Sequence, residues 1–152
     1  MRHALVYLFS FVFVVSFIVS VHANDEKFAY LFDRHNLEDI QSKSLKLYNI
    51  HTGEKVVATF WRDGEYNARG LKKLDHFLRD WRVDKTTEMD VSLLTLVFFI
   101  RRRLEQEYPH LKDECIEVIS GYRSPETNIS LSKAGRNEAT KSQHIHGKAI
   151  DI

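Results

Sequence analysis

Near its end the sequence reads SQHIHGKAIDI, Ser142 to Ile152, and three of its side chains are of types that hold transition metals: His144, His146 and Asp151. Neutral imidazole and carboxylate are zinc donors, and a hydrolytic zinc site keeps one position open for water. Spacing alone leaves two pairings open. His144 on a loop and Asp151 on a following strand converge if Gly147 lets the backbone bend. Ala149 and Asp151 then share one strand face, while Ile150 and Ile152 pack on the other. Alternatively, in an extended segment His144 and His146 project from the same face as a His-x-His pair. Both patterns recur by chance in a sequence with eight histidines, and ordinary surface residues are the competing reading. His51, His76, His110 and Asn128 have no useful partner spacing and are expected to be solvated or hydrogen-bonded. Cys115 is the single cysteine, which excludes an intramolecular disulfide. Its neighbours Ile116, Val118 and Ile119 indicate a buried thiol with no base beside it to activate it.

The elements that must position these groups read as α+β. Leu45 to His51 alternates apolar and polar residues, Thr52-Gly53 is a turn signal and Val56 to Trp61 is β-rich, which together predict a hairpin ended by a second turn at Asp63-Gly64. From Asn67 to Val83 the period changes: Leu71, Leu74, Phe77, Leu78 and Trp81 form one helical stripe, with Asp75, Arg79 and Asp80 off it. Asp90 is the expected N-cap of a second helix running to about Glu107, with Pro109 just beyond. Its stretch Leu93 to Ile100 is apolar nearly all round, which predicts a central, buried helix. Ile116 to Ser120 reads as a strand entering the loop Gly121-Tyr-Arg-Ser. Ser124-Pro125-Glu126 then caps a short helix to about Ala134, stopped by Gly135. Residues 136–143 read as a loop and residues 148–152 as a strand that is cut off.

The first 23 residues have a short polar start with Arg2 and His3, an apolar run from Ala4 to Val21, and a small-x-small cleavage site at Val21-His22-Ala23. They are expected to be a secretory signal peptide. A retained anchor is the alternative, because the apolar run is near the lower length limit for a membrane span. Residues 24–44 read as a lead-in segment and residues 45–152 as the domain. Removal of residues 1–23 takes away only one charged side chain, Arg2, so the formal charge of +1 falls to zero. A nucleic-acid partner is not expected, since such domains show a basic excess. The run Arg101-Arg102-Arg103 is expected to serve the end of its helix. At 43% hydrophobic, the chain has the material for a core that needs no disulfide.

SGYRSPETN, Ser120 to Asn128, followed by SQHIHGKAIDI, resembles the Hedgehog-type zinc peptidase superfamily of bacterial D-Ala-D-Ala carboxypeptidases and murein endopeptidases. Within it the match is to the murein endopeptidase K branch of the M15 peptidases. The signature is a strand ending in SGYRS, then Ser142-x-His144-x-x-Gly147-x-Ala149-x-Asp151, with every fixed position present. Weaker resemblance extends through Leu47 to Glu54 and Leu74 to Arg82. The implied fold is α+β and Hedgehog/DD-peptidase-like, a small antiparallel sheet packed with helices, with its last strands missing.

The resemblance implies that His144 and Asp151 are ligands of a Zn2+ ion and that His146 is an exposed spacer. Arg123 would hold the carbonyl oxygen or oxyanion of the scissile amide, in keeping with what a guanidinium does for developing charge. Ser142 would order the loop, since no general base stands beside it, and Tyr122 would pack within its own loop. The implied protein is a secreted, periplasmic murein endopeptidase whose partners are peptidoglycan stem peptides or cross-links. The bond could be D-Ala–D-Ala, D-Ala–diaminopimelate or diaminopimelate–diaminopimelate. Family members continue to a further strand bearing a second histidine ligand and a general base. Nothing in residues 1–152 matches that segment, so the expectation is a C-terminally truncated chain with half a zinc site. An inactive remnant or peptidoglycan-binding module is the rival reading.

Overall fold

The computed structural model describes residues 40–134 and 141–152. The segment read as a signal peptide lies outside the described residues, as do most of the lead-in, the expected helix stop at Gly135 and residues 136–140 of the predicted loop. The hairpin forms as expected, from β1 (Ser42–Asn49) and β2 (Lys55–Arg62), paired antiparallel with Leu45 opposite Ala58 and Leu47 opposite Val56. β1 begins inside the stretch read as lead-in. The turn is held by Asn49, whose Oδ1 accepts the amides of His51 at 2.9 Å and Thr52 at 3.1 Å. Gly53 then takes the left-handed conformation that glycine tolerates best. Asp63 and Gly64, with φ of 50° and 90°, make a two-residue turn into the short β3 (Glu65–Tyr66).

Asn67 caps α1 (Ala68–Phe77), its side chain accepting from the amides of Arg69 and Gly70 at 3.1 Å each. Gly70 is where α1 touches β2, because a Cβ there would stand 1.8 Å from the Thr59 carbonyl oxygen. The helix is shorter than its stripe predicted. It ends at Phe77, and the chain turns between Asp80 and Lys85, whose backbones exchange two hydrogen bonds of 2.8 and 3.2 Å. The turn reverses two assignments made by extending the helical period: Trp81 is exposed, while Asp80 has no exposure at all.

α2 (Val91–Glu107) starts at Asp90, whose Oδ1 accepts from Ser92 at 2.7 Å and Leu93 at 3.3 Å. Its buried residues are Leu94, Val97 and Phe99, but Leu93, Leu96 and Ile100 are only half-buried. The helix is therefore not wrapped on all sides by the described residues. Leu93, Leu96 and Ile100 line one side of an apolar groove of about 480 Å³, with Ile116 and Ile152 also on its wall. The arginine run works through side-chain pairing, not through the last turn. Arg101 pairs with Glu105 at 2.7 Å and donates to the carbonyls of Leu111 and Glu114, while Arg103 pairs with Glu107 at 2.8 Å.

After a 3-10 turn (Pro109–Asp113), β4 (Ile116–Val118) pairs with β1 in parallel. The sheet order is β3-β2-β1-β4, so the expected small antiparallel sheet is mixed within the expected α+β class. Cys115, just before β4, is half-buried. α3 (Pro125–Lys133) follows Ser124, whose Oγ accepts the Thr127 amide at 3.2 Å. The core joins Leu45, Leu47 and Phe60 of the hairpin to Leu74, Leu78, Leu94 and Val118, each at most 1% exposed. Each such side chain contributes roughly 1.5–3 kcal/mol by leaving water. Among the described residues no helix is long and apolar enough to cross a membrane.

Candidate metal centre

The loop after β4 is pinned by three consecutive amides. Tyr122 N–H donates to the Leu78 carbonyl at 2.7 Å and Arg123 N–H to the His144 carbonyl at 3.2 Å. Ser124 N–H donates to Asp80 Oδ2 at 2.9 Å. Close approach requires glycine at 121, where a Cβ would lie 2.5 Å from the Leu78 carbonyl oxygen. Burial pushes the Asp80 carboxyl up, but hydrogen bonds from the Thr127 hydroxyl, the Ser124 amide and hydroxyl, and the Arg82 amide outweigh it. Its pKa ends below the usual carboxylate value.

His144 does not leave an extended loop. It lies in a 3-10 turn (Gln143–His146) closed by Gly147 at φ 64°. The Gly147 carbonyl accepts the Asp90 amide at 3.0 Å, which ties the turn to the start of α2. In a 3-10 turn residues two apart point in different directions. His144 is therefore mostly buried and His146 is exposed, and the two do not share a face as a His-x-His pair would. Asp151 sits beside the end of β4. Its amide donates to the Ser120 carbonyl at 2.8 Å, and its carbonyl accepts the Ile119 amide at 2.9 Å. Residues 148–152 form no regular strand, only this isolated bridge, although Ile150 is buried in the core and Ile152 packs against it.

These contacts bring His144 and Asp151 together. The His144 Nδ1 lies 2.7 Å from the Gly121 carbonyl, which can only accept, so Nδ1 carries a hydrogen. In the neutral ring Nε2 is then a bare lone pair, and it faces Asp151 Oδ1 at 3.4 Å. Two acceptors facing each other call for positive charge between them, either a proton or a cation. The separation suits a cation: two ligands about 2.0–2.1 Å from one tetrahedral zinc are about 3.3 Å apart. Burial raises the Asp151 pKa, but a His144 ring that carries the proton between them, and then the Arg123 guanidinium, lower it by more. Arg123 itself is 7% exposed, so a guanidinium brought in from the loop acts on the carboxylate electrostatically. Ser142 precedes the turn; its carbonyl accepts the Ile145 amide at 3.2 Å, and its hydroxyl makes no capping bond.

The other candidates stand apart. His51 stacks on Trp81 with ring centroids 5.3 Å apart, and His110 meets Tyr108 edge-on. His76 lies exposed on α1, and Asn128 is buried. Among the described residues no three histidine, cysteine or acidic side chains converge; His144 and Asp151 face each other as a pair.

A family profile described as "Peptidoglycan L,D-endopeptidase MepK" matches residues 38–152. The chain belongs to this M15 peptidase family. It is 37% identical over 108 residues to the peptidoglycan L,D-endopeptidase MepK of Escherichia coli K12, an overlap covering 71% of this chain and 56% of that protein. The protein of the same name from Shigella flexneri matches to the same extent, 37% over 108 residues. The chain thus spans about half the length of the curated relatives it matches. No solved structure matches it. Within the M15 family frame, the Gly121–Ser124 loop and the His144–Asp151 turn are the two motifs that the fold joins. Asp80 is the residue that sequence reasoning passed over. The helical stripe runs past it without a glycine or proline to mark where the helix stops, so its burial had no local signal.

Proposed function

We propose that the chain carries part of a zinc peptidase site acting on peptidoglycan, and that the bond cut joins an L-centre to a D-centre, as the names of its relatives state for them. The observation that carries this reading is the pair of facing acceptors, His144 Nε2 and Asp151 Oδ1 at 3.4 Å, with the other ring nitrogen committed to Gly121. These two atoms would be ligands, and the Gly121 carbonyl would fix the tautomer and ring plane as an outer partner. A bound zinc supplies Lewis acidity, polarising an amide carbonyl and making water a nucleophile near neutral pH. Arg123 would hold the carbonyl oxygen of the scissile amide and the negative charge that develops on it. Its burial strengthens that interaction by excluding water. The cleavage-site pattern at residues 21–23 supports action in the periplasm, where peptidoglycan lies.

The test combines zinc titration by calorimetry with digestion of purified muropeptides followed by mass spectrometry. Zinc-dependent release of L,D-cleaved products, lost on chelation and in Asp151→Ala, is the expected result. Zinc binding that survives both His144→Ala and Asp151→Ala would overturn the assignment. A peptidoglycan-binding module is the second reading, favoured by the presence of only two converging donors among the described residues. It predicts muropeptide binding by the zinc-treated chain without cleavage.

A further inference from the structure

We propose that Asp80 is a positioning residue for Arg123, holding the arginine loop against the metal pair through the Ser124 amide. The inference rests on the reading of Arg123 as the group that meets the scissile carbonyl. Arg123 is flanked by anchored neighbours: Tyr122 N–H on the Leu78 carbonyl, its own N–H on the His144 carbonyl, and Ser124 N–H on Asp80 Oδ2. Two of these anchors are backbone atoms that any side chain would provide. The third is the Asp80 carboxylate, so it is the one chosen by sequence.

Asp80 is completely buried, where an ionised carboxylate is costly unless its oxygens are filled. They are filled by the loop and its surroundings. Oδ2 takes the Ser124 amide, and Oδ1 takes the Arg82 amide at 3.3 Å, with the Arg82 guanidinium 3.9 Å away. An apolar residue would satisfy burial alone, but it would leave the Ser124 amide without an acceptor and one side of the arginine unanchored. Ser124 in turn caps α3 through Thr127. The carboxylate therefore sits at the junction between the segment leaving α1, the arginine loop and the start of α3. A structural role alone would be to stabilise α3, and the test must separate the two.

The experiment compares the zinc-treated full chain with Asp80→Ala, Asp80→Asn and the core variant Leu45→Ala, which lowers stability within the hairpin, outside the groove that the neighbours of Asp151 line. Amide hydrogen exchange, zinc affinity and muropeptide kinetics are read on each. Loss of a hydrogen bond to a charged acceptor is expected to speed Ser124 exchange in Asp80→Ala about 10- to 100-fold beyond any change at Leu94. It should lower kcat by a similar factor, with KM and zinc affinity within about threefold. Asp80→Asn should recover part of both, because its amide oxygen still accepts. Leu45→Ala should lower stability without either effect. Ser124 exchange that rises no more than that of Leu94 would overturn the proposal. So would a loss of zinc affinity equal to the loss of kcat. If the wild-type chain cleaves no muropeptide, the proposed function fails, while the exchange comparison still decides whether Asp80 holds the arginine loop.

Discussion

Replacing Gly147 with alanine tests how the histidine turn is held. Gly147 has φ 64°, and an added Cβ would lie 2.7 Å from the Glu88 carbonyl oxygen and 3.0 Å from Thr87 Cγ2. A left-handed alanine costs about 1–2 kcal/mol, of which about 0.4–1 kcal/mol returns because the unfolded chain loses freedom. Relieving the contact with Glu88 requires backbone movement, at a further cost of about 1–3 kcal/mol. That movement also pulls on the bond from the Asp90 amide to the Gly147 carbonyl, worth about 1 kcal/mol net. The expected loss is about 2–4 kcal/mol, read as a shift in urea midpoint at constant slope. Gly53→Ala is the internal control. Its φ is 73°, but nothing stands within 4 Å of the added Cβ, so it incurs the conformational cost alone, about 1 kcal/mol or less. The difference between the two variants isolates the packing of the turn on the segment before α2. If the two lose the same stability within about 0.5 kcal/mol, the docking of Gly147 on Glu88 is not what holds His144 in place.

His144→Ala and Asp151→Ala should each abolish stoichiometric zinc binding in a competition titration, while the exposed His146→Ala leaves it within about threefold; the reverse pattern would revive the His-x-His site. Ser124→Ala should cost about 1 kcal/mol in denaturant unfolding through loss of the α3 cap. Asp75 differs in sign from most carboxylates. Burial raises its pKa, the Glu88 charge adds to this, and the Met89 amide at 2.9 Å offsets only part. Its contribution to stability is full below the unfolded value near 3.8 and is lost as pH rises through the raised folded value. Asp75→Asn should therefore be more stable than wild type at pH 7 and lose that advantage near pH 3. Parallel denaturation curves at the two pH values would contradict this.

Local chemistry made much of the fold legible. Asp90 and Ser124 cap helices where side-chain type and following period predict, the helical period that begins at Asn67 does open a helix there, and the turns at Thr52-Gly53 and Asp63-Gly64 fall where glycine permits positive φ. The failures lie where tertiary contacts override the period. Beyond Phe77 the stripe continues on paper, but the chain turns to offer Leu78 O and Asp80 to a loop more than forty residues away, which no local window contains. The mixed sheet was equally hidden, because Ile116 to Val118 has no adjacent partner strand and pairs back to β1. His144 and Asp151 were identifiable as a pair from the motif, but their orientation was not. It depends on the Gly121 carbonyl and on a 3-10 turn that spacing cannot distinguish from an extended segment.

The parallel pairing of β1 with β4 bears on how the protein reaches its native state. The hairpin closes over a few residues, whereas β4, the Ser120–Asp151 bridge and the Arg123–His144 bond join segments distant in sequence and must overcome larger loop-closure entropy. The hairpin and α1 can form a folding nucleus, and the histidine–aspartate pair meets only when the last long-range contacts close. Weakening the hairpin should then slow folding, whereas weakening the site's loops should mainly speed unfolding. The histidine–aspartate pair thus guards the lifetime of the folded state more than the speed of reaching it.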